Sequence, residues 1–572
     1  METWLTVVKA EPRRWLNSLA LYSSLTAFMF LVLLPTIFLI SFTFTRWNEI
    51  YMEIFANPLI GNEHWIQIQK VLLFSFKLSA LTVLFDLIFG IPLAYTLSRK
   101  RFAGKSLLED VVTLPLVIPT SGFGFATLIT WTTVAGLGGF LGLGSGLIHH
   151  GFMIPVVKIP FLMFMVHIGL TLPYVVLTVK AKMEEVNPVY ETASRTLGAP
   201  SYTTFRKVLL PLALPGIFSG SVLAFARSLG ETGATMVVSG IYSTASIAIV
   251  RWVFEFKFAA ASFLGCLLIL VAWALILPVE LLMGSRLRFR GFKELELGSG
   301  IRRVVFRLER TFSKKLSVVK DVASLSILVI TVIIPVLVVL NSIIPYWSRD
   351  PYTGKAAGGI LYQLFGPPNY FKSLVRATVT SFTVASTATY ISVCLAIPLA
   401  FIIKKHRFGG LIRSILKIPL IVPTSALGLS VLLLWGPSGL NLLNPGVWLT
   451  ILTHVVFSVP VIVEPTIAAY EGSQITLFEE SARTLGATSY DVAETISLPL
   501  VKRGVLAGAV LSFTHSLGET GATFIVMGKD ITVPTLVVNM VEALAIPAAL
   551  FSSAYLIGVS LVLLVVFKWI SK

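Results

Sequence analysis

Ser228-Leu229-Gly230-Glu231-Thr232-Gly233-Ala234-Thr235 returns residue for residue as Ser516 to Thr523. Four more blocks repeat around it in one order. Arg195-Thr196-Leu197-Gly198-Ala199 returns as Arg483-Thr484-Leu485-Gly486-Ala487, and Leu210-Pro211 as Leu498-Pro499. Upstream, Ile91-Pro92-Leu93-Ala94 matches Ile397-Pro398-Leu399-Ala400, and Ile118-Pro119-Thr120-Ser121 matches Val422-Pro423-Thr424-Ser425. The chain therefore contains one unit twice.

The solvent of that unit follows from composition. Apolar residues make up 55% of the chain and charged residues 13%, against roughly 25% charged in soluble domains. The apolar residues fall in long blocks such as Leu21–Phe42, Ala323–Ile344 and Phe551–Val566, and about 20 such residues span a bilayer as a helix. About twelve spans are expected, near 21–44, 71–98, 111–135, 159–180, 211–236, 261–283, 322–345, 376–403, 415–435, 446–469, 499–524 and 548–569. A lone block could be a signal sequence, but blocks along the whole chain cannot. The fold class is all-α integral membrane, in two six-helix repeats: a first half at 1–285, a basic linker at 286–321 and a second half at 322–572. An even number of spans per half makes the repeat parallel, and transporters often place the solute path between such halves.

The net charge of +17 has a topological reading. Basic residues occupy alternate loops: Arg99, Lys100, Arg101 and Lys105; Lys180, Lys182, Arg206 and Lys207; Lys404, Lys405, Arg407 and Arg413. The linker adds Arg288, Arg290, Arg302, Arg303, Arg307, Arg310, Lys314 and Lys315. Positive loops stay cytoplasmic, which puts both termini inside a cell membrane and makes lipid headgroups, not nucleic acid, the partner of this charge. The extra Gly-rich run Gly136–Gly151 of the first half is then extracytoplasmic. Cys266 and Cys394 lie within spans and offer no metal or disulfide spacing.

Cytoplasmic loops at 184–211 and 472–499 carry helix signals. Asn187-Pro188 supplies a start and Glu191 a first-turn carboxylate, and Gly198 stands where a left-handed stop belongs. In the second loop Thr476 and Glu479 have capping-box spacing and Gly486 ends the helix. Ser201 and Ser489 can each open a further short helix. Within span five, Arg227 and Glu231 lie four residues apart, as do His515 and Glu519, and Thr232 and Thr520 follow the glutamates. Such intramembrane charges either satisfy one another or line a solute pathway. Lys77 and Asp86, nine residues apart on nearly opposite helix faces, are not a pair.

The loop pattern resembles the EAA loop of type I ABC importer permeases: Glu-Ala-Ala, a glycine four residues on, then Leu-Pro. The second half matches with Glu480-Ser481-Ala482, Gly486 and Leu498-Pro499, while the first has Thr192-Ala193-Ser194 with Glu191 one residue early. The resemblance implies that Glu191, Thr192, Ala193, Gly198 and Ala199, with Glu479, Glu480, Ala482, Gly486 and Ala487, form coupling helices docking on a separate ATPase, one copy beneath each half. It also implies a solute-binding protein outside. ATP and Mg would be bound by the ATPase and no cofactor by this chain. Gly104-Lys105-Ser106 has a P-loop ending, but Arg99 stands where the first glycine is required.

The wording Phe225-Ala226-Arg227-Ser228-Leu229-Gly230-Glu231 resembles the fifth span of molybdate, tungstate and sulfate permeases. The threonines at 232 and 520 are closer to phosphate permeases, and fused halves to ferric-iron and thiamine permeases. The implied function is the permease of an ATP-driven oxyanion importer, with ferric-iron or thiamine import as the alternative. An ion-coupled secondary transporter would share the repeat without needing matched docking helices. An intramembrane enzyme would need a motif such as HExxH or GxSxG, which the chain lacks.

Overall fold

The computed structural model describes residues 22–56, 61–134, 136–142, 153–154, 157–284, 318–350, 355, 358–472 and 475–571. The basic linker before residue 318 and the segment 143–152 lie outside the described residues.

Among the described residues, eleven helices are long and apolar enough to cross a membrane, or up to twelve with one bent pair counted as a span. In the first half the spans are Tyr22–Thr45, Gly61–Arg99, Thr120–Thr132, Phe161–Glu185, Ser201–Gly230 and Phe258–Gly284. In the second they are Val318–Ser342, Tyr370–Lys405, the pair Gly409–Leu420 and Thr424–Trp435, Val447–Gly472, Ser489–Gly518 and Ile546–Ser571. Spans two, four and five pack on one another in each half.

Proline decides several local shapes. Without an N–H and with a ring that crowds the preceding turn, it widens the helix before it. π-Turns at Met29–Leu33 and Val329–Ile333 precede Pro35 and Pro335, and those at Phe205–Leu209 and Ala493–Ser497 precede Pro211 and Pro499. Span three differs from its expected continuous form at 111–135. It is a separate helix, Lys105–Val117, then an extended Ile118 and a new helix from Thr120. In the second half the corresponding break bends by 101° at Val422-Pro423. A residue before proline resists helical backbone, so the chain turns there.

The halves exchange their first spans. Leu34–Thr45 packs on Thr424–Trp435 of the second half, and Ile334–Ser342 on Thr120–Thr132 of the first. A Cβ on Gly265 would lie 3.3 Å from Leu39 and 3.6 Å from Leu429, so both halves share one apolar core. The linker's last residues are seated on the first half. Asp321 accepts from Thr96 at 3.0 Å and pairs with Lys100, while the Lys320 ammonium lies 4.7 Å from the Tyr95 ring centroid.

Candidate functional site: coupling loops and a central break

The loops read from sequence at 184–211 and 472–499 each hold a helix closed by glycine. The first runs Val189–Thr196, with Asn187 Oδ1 accepting the Val189 N–H at 3.0 Å. The second runs Ile475–Thr484. Gly198 and Gly486 have φ of +85° and +90°, and Ala199 N–H and Ala487 N–H return to Ser194 and Ala482 carbonyls at 3.2 and 3.0 Å. This six-to-one closure is why glycine is required. It leaves Leu197 and Leu485 88% and 89% exposed at the loop tips. The capping box expected at Thr476 and Glu479 lies elsewhere: Thr488 and Asp491 cap the following helix reciprocally. Glu479 is unavailable for capping because it is turned inward.

That inward turn is shared. Glu191 is 7% exposed and takes Arg99 Nε at 2.6 Å, while Arg99 also donates to the Val186 carbonyl at 2.8 Å. Glu479 is 4% exposed and takes Lys405 Nζ at 3.1 Å and the Ser497 hydroxyl. Burial pushes the Glu479 carboxyl up, but the bonds from Ser497 and Lys405 outweigh it and hold it below the ordinary glutamate value. Glu191 and Glu479 are thus structural equivalents gripped by the end of span two. The next residue, about 100° round the helix, is the exposed one: Thr192 in the first half and Glu480 in the second. Ala193, Gly198 and Gly486 are exposed too, and Ala199, Ala482 and Ala487 are half-buried.

Span five is not continuous to 236 as its hydropathy implies. Its helix stops at Gly230, Glu231 is extended (φ −68°, ψ 129°), and a short helix Gly233–Val238 follows. The second half repeats this with Glu519 extended and Gly521–Val526. The opposite half explains the stop. A Cβ on Gly233 would lie 2.4 Å from Thr520 Cβ, and one on Gly521 2.7 Å from Thr232 Cβ. Likewise a Cβ on Gly230 would lie 3.1 Å from Pro423 Cα, and one on Gly518 2.9 Å from Pro119 Cα. The two breaks interlock at the pseudo-twofold axis, and Thr232 and Thr520 are buried there.

Each break is held by its own glutamate. Glu231 Oε1 accepts the Ala234 N–H and Glu519 Oε1 the Ala522 N–H, both at 3.1 Å. Their other oxygens meet Arg227 Nη2 at 2.7 Å and His515 Nε2 at 3.5 Å. Arg227 also bonds Tyr174 and acts electrostatically on Glu519 of the other half. His515 instead stacks on Phe457, centroids 4.7 Å apart.

Three matched pairs escaped the sequence reading. His167 bridges the break from span four, with Nδ1 2.7 Å from Ser228 Oγ and Nε2 3.0 Å from Thr235 Oγ1. His454 does the same with Ser516 and Thr523 at 2.6 and 2.9 Å. Both stand six residues before a proline, Pro173 and Pro460, which a finer comparison of the repeats could have detected. Ser75 and Ser381 of span two accept the first N–H of buried helices Ala245–Phe254 and Val533–Glu542, each at 2.8 Å. These helices cross to the other half, since Ala245–Phe254 packs on Thr424–Trp435 and Val533–Glu542 on Thr120–Thr132. Arg99 and Lys405, read from sequence only as topological charge, are the third pair.

Exchanged spans, interlocked breaks and surface helices gripped from below define a multi-pass, all-helical transport component. Residues 86–285 match the binding-protein-dependent transport system inner membrane component family. The chain is 30% identical over 271 residues to the sulfate transport system permease protein CysT of Salmonella typhimurium, 46% of this chain and 91% of the relative. It is 40% identical over 171 residues to the molybdenum transport system permease protein ModB of Escherichia coli, 29% of this chain and 70% of the relative. To the molybdate/tungstate transport system permease protein WtpB of Pyrococcus abyssi it is 31% identical over 204 residues, 36% and 74% of the two chains. This chain belongs to the family of binding-protein-dependent inner membrane transport components, with the type I ABC importer permease fold. Each of these relatives aligns over most of its own length but less than half of this chain.

Proposed function

We propose that this chain is the complete membrane pathway of an ATP-driven importer for an inorganic oxyanion of the sulfate, molybdate or tungstate type. The observation that carries the reading is the pair of glycine-closed, inward-anchored helices with exposed outer faces, in a chain whose relatives are named for those solutes. Two ATPase copies dock on the two helices, binding ATP and Mg, and a solute-binding protein delivers the anion from outside. The chain lies in the cell membrane with both termini and the basic linker 286–321 inside, dividing the halves 1–285 and 322–572.

The geometry suggests how docking reaches the pathway. Arg99 and Lys405 grip the coupling helices, and 24 residues back along the same spans Ser75 and Ser381 hold the crossing helices. At 1.5 Å per residue this is about 36 Å of continuous helix, so span two is a rod from the ATPase face to the outer layer. Displacing its inner end shifts the crossing helix that packs on the other half. The interlock of Thr232 with Gly521 and Thr520 with Gly233 is the closed gate, and Arg227, Glu231, His515 and Glu519 border it.

Reconstitution of the chain with its ATPase and binding protein in liposomes tests this. Uptake of sulfate, molybdate or tungstate with ATP supports the reading. ATP-driven uptake confined to ferric chelates or thiamine overturns the substrate class, and uptake driven by an ion gradient without ATP overturns the mechanism.

A further inference from the structure

One ionisable side chain of the membrane core takes no part in this scheme. Asp86, in span two, is fully buried. Its Oδ2 lies 2.5 Å from the Thr171 hydroxyl of span four, and its Oδ1 has no hydrogen-bond partner. The same Thr171 hydroxyl lies 2.7 Å from the His167 carbonyl.

A hydroxyl has one hydrogen. Thr171 faces two oxygens within bonding distance, and if Asp86 is a carboxylate one of those contacts joins two acceptors with no proton between them. A proton on Asp86 resolves both: the acid donates to Thr171, and Thr171 donates to the His167 carbonyl. The orphaned Oδ1 points the same way, because a buried carboxylate oxygen without a donor is far more costly than the carbonyl oxygen of a neutral acid. Among the described residues no charged group compensates. Of the titratable groups on the elements packed against span two, the His167 ring faces Ser228 and Thr235, and Arg227 faces Glu231 and Tyr174. Neither they nor Glu53, Lys180, Lys182, Glu184, Glu185 and Arg251 of those elements, nor Lys77 and Arg99 of span two itself, act on Asp86; burial and Thr171 are the influences on it.

We propose that Asp86 is a proton-binding site: folded in the membrane, it carries a proton and donates it to Thr171, completing a relay that ties span two to span four at the His167 clamp. The proton is a fixed structural ligand of the first half. The second half has serines at the matching positions, Ser392 and Ser458, whose buried hydroxyls have no hydrogen-bond partner, so it holds no equivalent of this tie. This proposal needs only the membrane fold and stands whether or not the transported solute is an oxyanion.

The test is the infrared spectrum of the purified full chain in lipid near neutral pH, compared with Asp86→Asn. A neutral carboxylic acid shows a C=O stretch above the amide band that carboxylates lack. The expected difference spectrum loses one such band in Asp86→Asn, and the variant keeps transport within about threefold, since the amide is also a neutral donor. If Asp86→Asn fails to fold, Asp86→Ser, the residue of the other half, serves for the same spectrum. A spectrum unchanged in the acid region, with a carboxylate band lost instead, would overturn the proposal.

Discussion

The two halves agree on what faces inward and disagree on what faces out. Both bury a glutamate of the glycine-closed loop helix under a basic residue at the end of span two, Glu191 under Arg99 and Glu479 under Lys405. The adjacent outward residue is Thr192 in one and Glu480 in the other. At the central break the same rule holds: Glu231 and Glu519 cap their short helices at identical distances, yet one is paired with an arginine and the other with a histidine. Each half keeps the contacts that build the fold, while the exposed residue and the cation beside the break differ. What is repeated is architecture; what differs is where the two halves do different work.

The halves diverge most in the cations beside their central breaks. Removing one member of a buried pair typically costs about 3–5 kcal/mol. Arg227→Ala should therefore depress both stability and uptake, and more than His515→Ala, because Arg227 meets its glutamate at 2.7 Å and also bonds Tyr174, whereas His515 lies 3.5 Å from Glu519 and otherwise packs on Phe457. Adding Glu231→Gln to Arg227→Ala is expected to restore stability, measured as the thermal midpoint in detergent, without restoring uptake. Full uptake by the double variant would show that the pair serves only itself.

A smaller effect is expected at the loop glycines. Nothing lies within 4 Å of a Cβ at Gly198 or Gly486, so a side chain meets no clash and the cost is backbone strain alone, about 1–2 kcal/mol at positive φ. Gly486→Val should leave insertion intact and weaken ATPase co-purification about tenfold. Gly198→Val should do less if the second half, with Glu480, supplies the stronger dock.

The smallest effect is expected on the acid side. With its carboxyl held below the ordinary value, Glu479 stays ionised as pH falls through the range where free glutamate takes a proton. Its contribution to stability is present above the unfolded value and is lost as pH falls through the lowered one. Glu479→Gln should flatten that acid limb of the melting curve, and an unchanged limb would show that the contact carries no such linkage.

The repeat, the number and placement of spans and the helix-ending glycines were legible because each is local: a run of apolar residues, a left-handed stop, a recurring block. The break in span five was not. Gly230-Glu231-Thr232-Gly233 reads as a loosened helix, and only Thr520 and Pro423, both far away in the sequence of the other half, show why it must stop. The exchange of first spans is equally silent, since an apolar face does not say which half covers it. The role of Glu191 turned on a single residue of helical phase: its place beside Thr192 suggests a displaced docking residue, whereas a step of about 100° makes it the buried anchor.

Under the proposed function, motion of the coupling helix enters the membrane through span two. Uptake per ATP hydrolysed by the reconstituted complex, measured for Arg99→Glu, Glu191→Arg and the two together, tests it directly. Each single variant should keep hydrolysing ATP while uptake per ATP collapses, and the double variant, with the charges exchanged, should regain it. Coupled uptake at the wild-type ratio in a single variant would mean that the grip of span two on the coupling helix does not carry the motion.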